Sequence, residues 1–205
     1  MPNIVVITHL TLDGVMQAPG RHDEDRRGGF EHGGWAMANN DPVMAKAMGE
    51  GMAEGGPLLF GRRTYEDFAA VWPARKGNPF TEVLDKSQKF VASRTLRGPL
   101  PWQNSTLLSG DAAETVARLK EQPGKDIAVL GSGDLLQTLM RHGLVDQYVL
   151  LIHPLVLGRG RRLFTDDARR SALRLVHSVP TTTGVLIATY RHPDHDRSDA
   201  TQGRR

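Results

Sequence analysis

The sequence predicts an α/β fold built on a mixed, mostly parallel sheet. Along most of the chain, short runs rich in β-branched residues alternate with amphipathic stretches of helical length, a pattern typical of parallel strands joined by helices. The last third is almost entirely strand-like, which predicts antiparallel strands at the edge of the sheet. The 205 residues contain no repeat and no linker, so we expect one domain over residues 1–191.

Four strands and two helices are predicted in the first half of the chain. The strands are short apolar runs at residues 4–10, 58–60, 89–92 and 105–108. Asp41 and Pro42 form a typical helix start, with Asp as the cap and Pro in the first turn, and Gly56-Pro57 follows the end of that helix. The second helix begins near Thr64. A long glycine-rich, charged stretch over 11–34 precedes the first helix, and loops of that length usually cover a functional site.

Two helices and four strands are predicted in the second half. Asp111 caps a helix over 112–121, and a helix beginning after Gly131-Ser132-Gly133 runs through Arg141. The strands lie at 127–130, 147–152, 173–179 and 185–191, and the last two form a hairpin. The polar residues 192–205 are predicted to be a disordered tail.

Composition excludes several classes of protein. The chain has no cysteine, which removes disulfides, iron–sulfur clusters and cysteine nucleophiles and agrees with a reducing cytoplasm. No apolar run approaches the ~20 residues of a membrane helix, and the N-terminus does not resemble a signal peptide. The histidines show no metal-ligand spacing, so no metal site is predicted. The motifs of serine hydrolases and of P-loop nucleotide hydrolases are absent.

Charge indicates a small anionic partner. The formal net charge is +3 and the isoelectric point is 9.4, a small surplus for a chain of this length. The basic residues cluster at 158–162 and at the last two positions and are otherwise interleaved with acidic residues. A phosphorylated small molecule is a sufficient anion, and neither nucleic acid nor a membrane is required as a partner.

Three segments share one design, in which a buried strand ends, small or polar residues follow, and a helix or turn begins. They are 60–64, 91–95 and 130–134. In a parallel sheet the carboxyl ends of strands face one crevice, where helix N-termini bind phosphate. Gly131 and Gly133 would let a diphosphate approach the backbone, and Arg62 and Arg94 would bind a second phosphate, which favours NADPH over NADH. The hydroxyl groups that would assist them belong to Thr64, Ser93 and Thr95.

Each of these features also has an ordinary structural interpretation. A Gly-Ser-Gly step is often only a tight turn, and a single arginine after a strand is usually a solvated surface residue. Gly131-Ser132-Gly133 does not match the G-x-G-x-x-G fingerprint, and no acidic ribose ligand follows at the expected spacing. The usual Rossmann dinucleotide site is therefore not expected.

The order and spacing of six motifs resemble a known family. The motifs are Thr11-Leu12-Asp13-Gly14, Gly61-Arg62-Arg63-Thr64-Tyr65-Glu66, Ser93-Arg94-Thr95-Leu96, Gly131-Ser132-Gly133, Gly143-Leu144-Val145-Asp146 and the segment 154–164. Together they resemble the dihydrofolate-reductase-like group. Within it the chain is most similar to the reductase domain of the bifunctional riboflavin-biosynthesis deaminase-reductase and its stand-alone bacterial relatives. The resemblance covers about residues 3–190.

This resemblance implies an eight-stranded sheet, parallel except for its last strand, that binds NADPH and forms a homodimer. It implies phosphate contacts at Gly61, Arg62 and Thr64, the adenosine 2′-phosphate at Ser93 and Arg94, and the diphosphate at Gly131, Ser132 and Gly133. Arg63, Thr95 and Asp134 in the same turns complete the predicted cofactor site. Asp13 and Gly14 match the start of the loop that closes over the nicotinamide. The family's deaminase domain has no counterpart in the sequence, so only a reductase activity is implied.

The catalytic residues are predicted less directly. Asp41 occupies the region of the family's proton-donating carboxylate, although Asp41 is also a good helix cap. Asp13 is a second carboxylate near the strand ends, although Asp-Gly is first of all a turn. Trp35 would fold its indole against the nicotinamide or the substrate, or else anchor the covering loop. The predicted substrate-binding residues are Thr11, Gly14, Arg159 and Arg161, the arginines of which are alternatively a solvated loop.

These observations favour an NADPH-dependent reductase of a small heteroaromatic substrate, either a dihydrofolate-like pterin or an aminopyrimidine. One alternative is an anion-binding or nucleic-acid-binding module, which would show a basic stripe interleaved with exposed aromatic residues. Only Trp72 and Trp102 are candidates for such residues, and each stands beside a proline. A second alternative is a cofactor-binding protein without turnover.

Overall fold

Eight strands form one sheet in the described part of the chain, which comprises residues 1–53, 56–166, 168 and 170–193 of a computed structural model. The strands are β1 (Ile4–Thr11), β2 (Leu58–Gly61), β3 (Lys89–Ser93), β4 (Ser105–Ser109), β5 (Ile127–Leu130), β6 (Gln147–His153), β7 (Arg174–Pro180) and β8 (Leu186–Arg191). Their order is β4-β3-β2-β5-β1-β6-β8-β7. All neighbouring pairs are parallel except β6 with β8 and β8 with β7. The predicted sheet, parallel except for its last strand, is confirmed.

Five α-helices flank the sheet within the described residues. They are α1 (Pro42–Ala53), α2 (Arg62–Val71), α3 (Pro79–Lys86), α4 (Ala112–Lys120) and α5 (Gly133–Arg141). The prediction omitted α3, although its start carries a recognisable signal. The Asn78 side chain accepts a hydrogen bond from the Phe80 N–H, and Pro79 occupies the first turn, which is a favourable helix entry.

Apolar clusters lie on both faces of the sheet. Successive residues of β2 point in opposite directions: Leu58 and Phe60 pack with α2 and α3, whereas Leu59 packs with α4 and α5. Because helices cover both faces, the central strands are apolar at nearly every position, which is typical of a parallel sheet. The helix α1 covers β6 and β8 on the same face as α2 and α3, with Met44 against Leu151.

A buried carboxylate holds the amino ends of the central strands together. Asp146, in the turn before β6, is only 3% exposed, and its Oδ2 accepts a hydrogen bond from the Ile4 N–H at 2.6 Å. The same oxygen lies 2.5 Å from the Lys120 ammonium at the end of α4. One side chain therefore joins β1, α4 and the segment that leads into β6.

The opposite, carboxyl edge of the sheet is where the motifs converge. The strands β3, β2, β5, β1 and β6 are consecutive and parallel, so the residues that end them meet at one edge. These residues are Ser93, Gly61, Leu130, Thr11 and His153. The three segments at 60–64, 91–95 and 130–134, which lie far apart in the sequence, thereby come to one edge of the sheet; a helix follows the first and the third, and a loop follows the second.

Two further predictions concern the C-terminal tail and membrane-spanning helices. His192 is described and packs against the Tyr148 ring at a centroid distance of 6.3 Å, while residues 194–205 of the predicted disordered tail lie outside the described residues. In the part of the chain that the structure covers, no helix has the length and apolar character needed to cross a membrane.

We expect Asp146→Ala to lower the free energy of unfolding by about 3 kcal/mol, because it removes the acceptor of a buried N–H and the counter-ion of Lys120. Urea titration followed by circular dichroism measures the loss. Asp111→Ala is the matched control, since Asp111 caps α4 at the surface and its loss should cost only about 1 kcal/mol. A loss for Asp146→Ala no greater than that of the control would contradict the proposed role.

Candidate active site

A cleft of about 1010 Å³ opens at the carboxyl edge of the sheet. The turn after β5 and the start of α2 line one side, and the long loop between β1 and α1 covers it. Its lining combines an apolar part with a strongly basic part. The apolar part includes Ile7, Met37, Met48, Phe68 and Phe80, and the basic part includes Arg21, Arg27, Arg63, Arg161 and Arg162.

The turn after β5 is locked to the start of α2 by two hydrogen bonds. The Ser132 N–H donates to the Thr64 Oγ1 at 3.0 Å, and the Gly61 N–H donates to the Ser132 Oγ at 3.0 Å. Gly131 has a φ of +55° and Ser132 a φ of +60°, and a Cβ on Gly131 would lie 3.2 Å from the Thr64 methyl group. Glycine is therefore required at position 131 on both counts.

This turn has the properties of an anion cradle. Gly131, Ser132 and Gly133 all line the cleft, and the first N–H groups of α5 have no acceptor within the helix. The helix dipole adds partial positive charge at the same point. The predicted phosphate-binding residues Gly131, Ser132, Gly133 and Thr64 are thus brought together around one corner of the cleft.

Three arginines converge on one carboxylate beside this cradle. The Asp134 carboxylate, in the first turn of α5, accepts from Arg63 at 2.8 Å, from Arg27 at 3.0 Å, and from Arg161. These arginines come from α2, from the loop after β1 and from the loop after β6. Because the three arginines outnumber the two carboxylates beside them, Asp134 and the Asp25 that binds Arg27, the cluster keeps an excess of positive charge next to the cradle.

The covering loop, residues 12–41, is held by one buried glutamine. The Gln17 side chain donates to the Asp25 and Arg27 carbonyl oxygens and accepts from the Arg161 N–H at 3.0 Å. The backbone carbonyl oxygen of Gln17 accepts a hydrogen bond from the Trp35 indole N–H at 2.7 Å. Trp35 is buried among apolar residues of the loop and does not line the cleft. The geometry therefore supports Trp35 as the anchor of the loop and not as a surface for a bound ring.

Asp41 is the cap of α1 and also holds the hairpin between β7 and β8. Its Oδ1 accepts from the Met44 N–H at 2.8 Å, and its Oδ2 accepts from the Thr182 N–H, the Thr182 hydroxyl and the Thr183 N–H. These bonds, the Met44 N–H first, lower the pKa of Asp41 to about 2. A carboxylate that is ionised, saturated and outside the cleft lining is poorly suited to donate a proton, so the capping interpretation is the one that the geometry favours.

Asp13 likewise serves the backbone. The Thr11 hydroxyl donates to its carboxylate at 2.6 Å, and the Leu157 and Gly158 N–H groups donate as well. These bonds, the Thr11 hydroxyl first, lower the pKa of Asp13 to about 2. Thr11 and the turn at Gly14 complete this junction between the covering loop and the loop after β6. Thr11, Asp13 and Gly14 do not line the cleft.

Some of the other predicted residues line the cleft and the rest lie outside its lining. Arg63 and Arg161 line it, whereas Arg159 donates to the Gly29 carbonyl outside it. Arg62 pairs with Glu66 at 3.6 Å. The Ser93 hydroxyl accepts from the Thr95 and Leu96 N–H groups, and Arg94 is exposed. Arg62 and Ser93-Arg94-Thr95 follow the neighbouring strands β2 and β3 at the edge that carries the cleft.

The sequence analysis missed a pair of histidines. The His9 Nδ1 lies 2.8 Å from the His153 Nε2, His9 lines the cleft, and His153 has no exposed surface. Burial lowers the pKa of both rings to about 4, and for His9 the neighbouring His153 acts in the same direction. The only signal in the sequence is a histidine near the carboxyl end of each of two strands.

A second group that the sequence analysis missed is Glu24 in the covering loop. Its carboxylate accepts from the Gly20 and Arg21 N–H groups, and Arg21 in turn binds Asp67 of α2 at 2.5 Å. Burial raises the pKa of Glu24. Glu24, Arg21 and Asp67 all line the cleft, so this network closes the covering loop onto α2.

An eight-stranded α/β sheet, parallel except for β8, with an arginine-lined cleft at its carboxyl edge is the architecture of the dihydrofolate-reductase-like class. The chain belongs to the RibD C-terminal domain family, whose model matches residues 2–187. Both findings confirm the resemblance inferred from the six motifs.

Individual relatives agree with this assignment. A Shewanella sp. PV-4 structure named for riboflavin biosynthesis aligns with 93% of this chain and 98% of its own, at 20% identity and a TM-score of 0.67. A pyrimidine reductase-like protein from Corynebacterium diphtheriae aligns with 93% and 92%, at 12% identity and a TM-score of 0.59. These two structures show the shared fold.

Two proteins of Bacillus subtilis (strain 168), both described as uncharacterized, are similar in sequence. YyaP is 33% identical over 138 residues, which are 65% of this chain and 72% of YyaP. YwjB is 30% identical over 121 residues, which are 58% of this chain and 63% of YwjB. The alignment thus spans less than two thirds of YwjB.

If Asp41 is a structural cap, Asp41→Ala should lower the free energy of unfolding by about 1–2 kcal/mol, because α1 and the hairpin lose a common acceptor. The loss is measured by urea titration and compared with that of Asp111→Ala, a cap that serves one helix only. A carboxylate reserved for a substrate would be unpaired, and its removal would leave stability unchanged or higher.

The buried histidines should make the protein less stable in mild acid. In the unfolded chain both rings titrate near 6.5, whereas in the folded chain their pKa is about 4. Between these values the unfolded state binds more protons, so the free energy of unfolding falls as the pH drops from 7 to 5, by roughly 3–4 kcal/mol for the two rings together. Urea titrations at the two pH values should show a smaller fall for His153→Gln and an unchanged fall for the exposed control His142→Gln.

Proposed function

We propose that the protein is an NADPH-dependent reductase that transfers a hydride to a small heteroaromatic substrate, a dihydrofolate-like pterin or an aminopyrimidine of the 5-amino-6-(5-phosphoribosylamino)uracil type. The observation that carries the proposal is the anion cradle at Gly131–Gly133 opening into a cleft with an apolar lining. Membership of the RibD C-terminal domain family supports it.

The residues at the carboxyl edge fit the diphosphate and the 2′-phosphate of NADPH. Gly131, Ser132 and Gly133, with the N-terminus of α5, would hold the diphosphate. Arg62 and Arg94, with the hydroxyls of Ser93 and Thr95, would hold the 2′-phosphate. The support for this assignment is the strand order, since β5, β2 and β3 are consecutive and their ends form a continuous line from the cradle to the arginines.

The apolar part of the cleft fits a flat ring. Phe68, Phe80, Ile7 and Met48 would enclose the reacting groups and exclude water, which strengthens polar contacts there and protects a hydride donor. When bound, NADPH supplies the hydride. The chain's own contribution is to position the two rings, which accounts for most of what a protein adds to cofactor chemistry.

The basic part of the cleft supports a substrate that carries negative charge. Arg161 and Arg162 line the cleft, and Arg161 is about half exposed. A phosphate or carboxylate on the substrate would compete with Asp134 for Arg161 and with Asp13 for Arg162. This feature is compatible with a ribose phosphate and with the carboxylates of a folate.

A nucleic-acid-binding module is the weaker candidate. Trp102 is 4% exposed, and its indole donates to the Asp85 carboxylate at 2.7 Å. Trp72 packs against Phe80 at a centroid distance of 4.7 Å and carries Arg75 over its ring. Both tryptophans are engaged in packing and are poorly placed to stack on bases.

We also propose that the protein is a homodimer, as the family resemblance implies. The edge strand β7 supports this proposal because it carries Leu175 and Val176, which are 50% and 41% exposed. Light scattering coupled to size-exclusion chromatography measures the mass in solution.

The cofactor is tested by calorimetric titration of the purified protein with NADPH, NADH and a short DNA duplex at one salt concentration. We expect NADPH to bind in the micromolar range and the duplex not to bind. Loss of nicotinamide absorbance with dihydrofolate or an aminopyrimidine then separates a reductase from a protein without turnover. Salt-sensitive binding of the duplex in place of NADPH would reject the proposal.

Replacing Arg62 and Arg94 by alanine should weaken NADPH binding by about 1.5–3 kcal/mol for each lost charge-assisted bond and leave NADH binding nearly unchanged. The same calorimetric titration measures both affinities. Arg118→Ala is the control, since Arg118 is an exposed arginine in the last turn of α4. An equal loss for the two cofactors would remove the 2′-phosphate assignment.

A further inference from the structure

The histidine pair lies where the covered face of the sheet meets the cleft. His9 and His153 are on the adjacent parallel strands β1 and β6, and their ring centroids are 5.1 Å apart. His153 is fully buried, with the Trp35 ring edge-on at 5.2 Å. His9 alone reaches the cleft. The proposed function assigns no task to either ring.

The hydrogen bond between the two rings restricts which nitrogen of each histidine carries the proton. A neutral imidazole has one N–H and one bare nitrogen, and the contact of 2.8 Å between the His9 Nδ1 and the His153 Nε2 needs one of each. The remaining nitrogen of His153, Nδ1, is buried and has no partner among the described residues. It is therefore either an unsatisfied donor or an unsatisfied acceptor.

An unsatisfied acceptor at the His153 Nδ1 costs less free energy than an unsatisfied donor there. A buried N–H without an acceptor is rarer in proteins than an under-satisfied acceptor, so His153 carries its proton on Nε2 and donates it to His9. The His9 Nδ1 is then the acceptor, and its single proton is on Nε2. That nitrogen makes no hydrogen bond within the described structure and is not among the buried unsatisfied atoms, so it is open to the cleft.

The surroundings keep both rings neutral and free of metal. Burial and the second imidazole are the influences on the His9 pKa, and no carboxylate is among them. Two imidazoles alone make a poor metal site, and the described residues bring together no group of three or more His, Asp or Glu that would bind an ion.

We propose that His153 fixes the tautomer of His9, so that His9 presents its Nε2–H as a neutral hydrogen-bond donor to a ring carbonyl oxygen of the substrate. This inference rests on the proposed function only in taking the cleft as the substrate site. It narrows the substrate class to rings that carry an oxo group beside the reacting bond.

A neutral donor of this kind polarises its acceptor without giving up its proton. The hydrogen bond strengthens as negative charge develops on the carbonyl oxygen during hydride addition, which is how preorganised donors stabilise transition states. No bond to His9 forms or breaks, and the proton that completes the reduction is taken up from bulk water after the hydride has been transferred.

The tautomers are measured directly by nitrogen-15 NMR of the histidine-labelled protein at neutral pH, without cofactor or substrate. We expect His9 and His153 each to show a protonated Nε2 and a bare Nδ1. Spectra of His9→Gln and His153→Gln assign the signals, and exposed His22, whose ring makes no hydrogen bond among the described residues, provides the reference for an unrestricted ring. A His9 protonated on Nδ1, or a cationic ring in the pair, would overturn the proposal.

The donor role is measured with two matched probes, 5,6-diaminouracil and 4,5-diaminopyrimidine, which lacks both oxo groups. With NADP⁺ present, the wild-type protein should bind the uracil at least tenfold more tightly. We expect this preference to disappear in His9→Phe, to decrease in His153→Phe and to persist in His9→Gln, whose amide is also a donor. Equal binding of the two probes, or binding of neither, contradicts the donor role.

The experiments test the proposed reductase and the role of His9 separately. Absence of NADPH binding would reject the proposed reductase, while the tautomers seen by NMR would be unaffected. Normal NADPH binding together with the alternative tautomer, or with no preference between the probes, would reject the role of His9 alone.

Discussion

The parallel alignment of six strands is the constraint on which the rest of the structure depends. Because β1 to β6 run in one direction, residues that end different strands meet at a single edge. The cradle at Gly131–Gly133, the arginines after β2 and β3, and the histidines of β1 and β6 thereby become neighbours. At the opposite edge the buried Asp146 holds the chain together through Ile4 and Lys120. This stabilising contact and the proposed binding site thus lie at opposite ends of the same strands.

The arginines beside the cleft are held in place by a carboxylate. Asp134 collects three guanidinium groups that come from three separate segments, so they are oriented before any anion arrives. Each exposed pair of this type contributes little to stability, but together they aim positive charge at the cradle. A phosphate bound as proposed would need only to replace one carboxylate and would not have to order three flexible side chains. The same carboxylate also links the covering loop to α2 and α5, which couples the position of that loop to the charge in the cleft.

Local patterns were sufficient to predict most elements of the fold and the glycine turn that lines the cleft. Strands of β-branched residues, the cap at Asp111 and the glycine turn after β5 are all determined within a few residues, and the structure contains each of them. The helix α3 was missed because its short apolar stripe follows a segment rich in glycine, proline and charge. The partners of Asp41 and of His9 are 141 and 144 residues away, and no local pattern encodes which strands and turns become adjacent.

That distinction explains why the geometry favours structural roles for the two candidate carboxylates. Asp13 and Asp41 each follow a strand or precede a helix, where a backbone N–H needs an acceptor, and that need is met before any substrate is bound. The histidine pair shows the opposite relation. Two adjacent imidazoles in the interior lose hydration, and one nitrogen of His153 has no partner among the described residues, whereas apolar side chains of similar size would avoid this cost. Local rules of packing do not account for such a pair, and sites where those rules fail are typically functional. The cleft therefore gains a donor of defined tautomer at the expense of an imperfectly satisfied core.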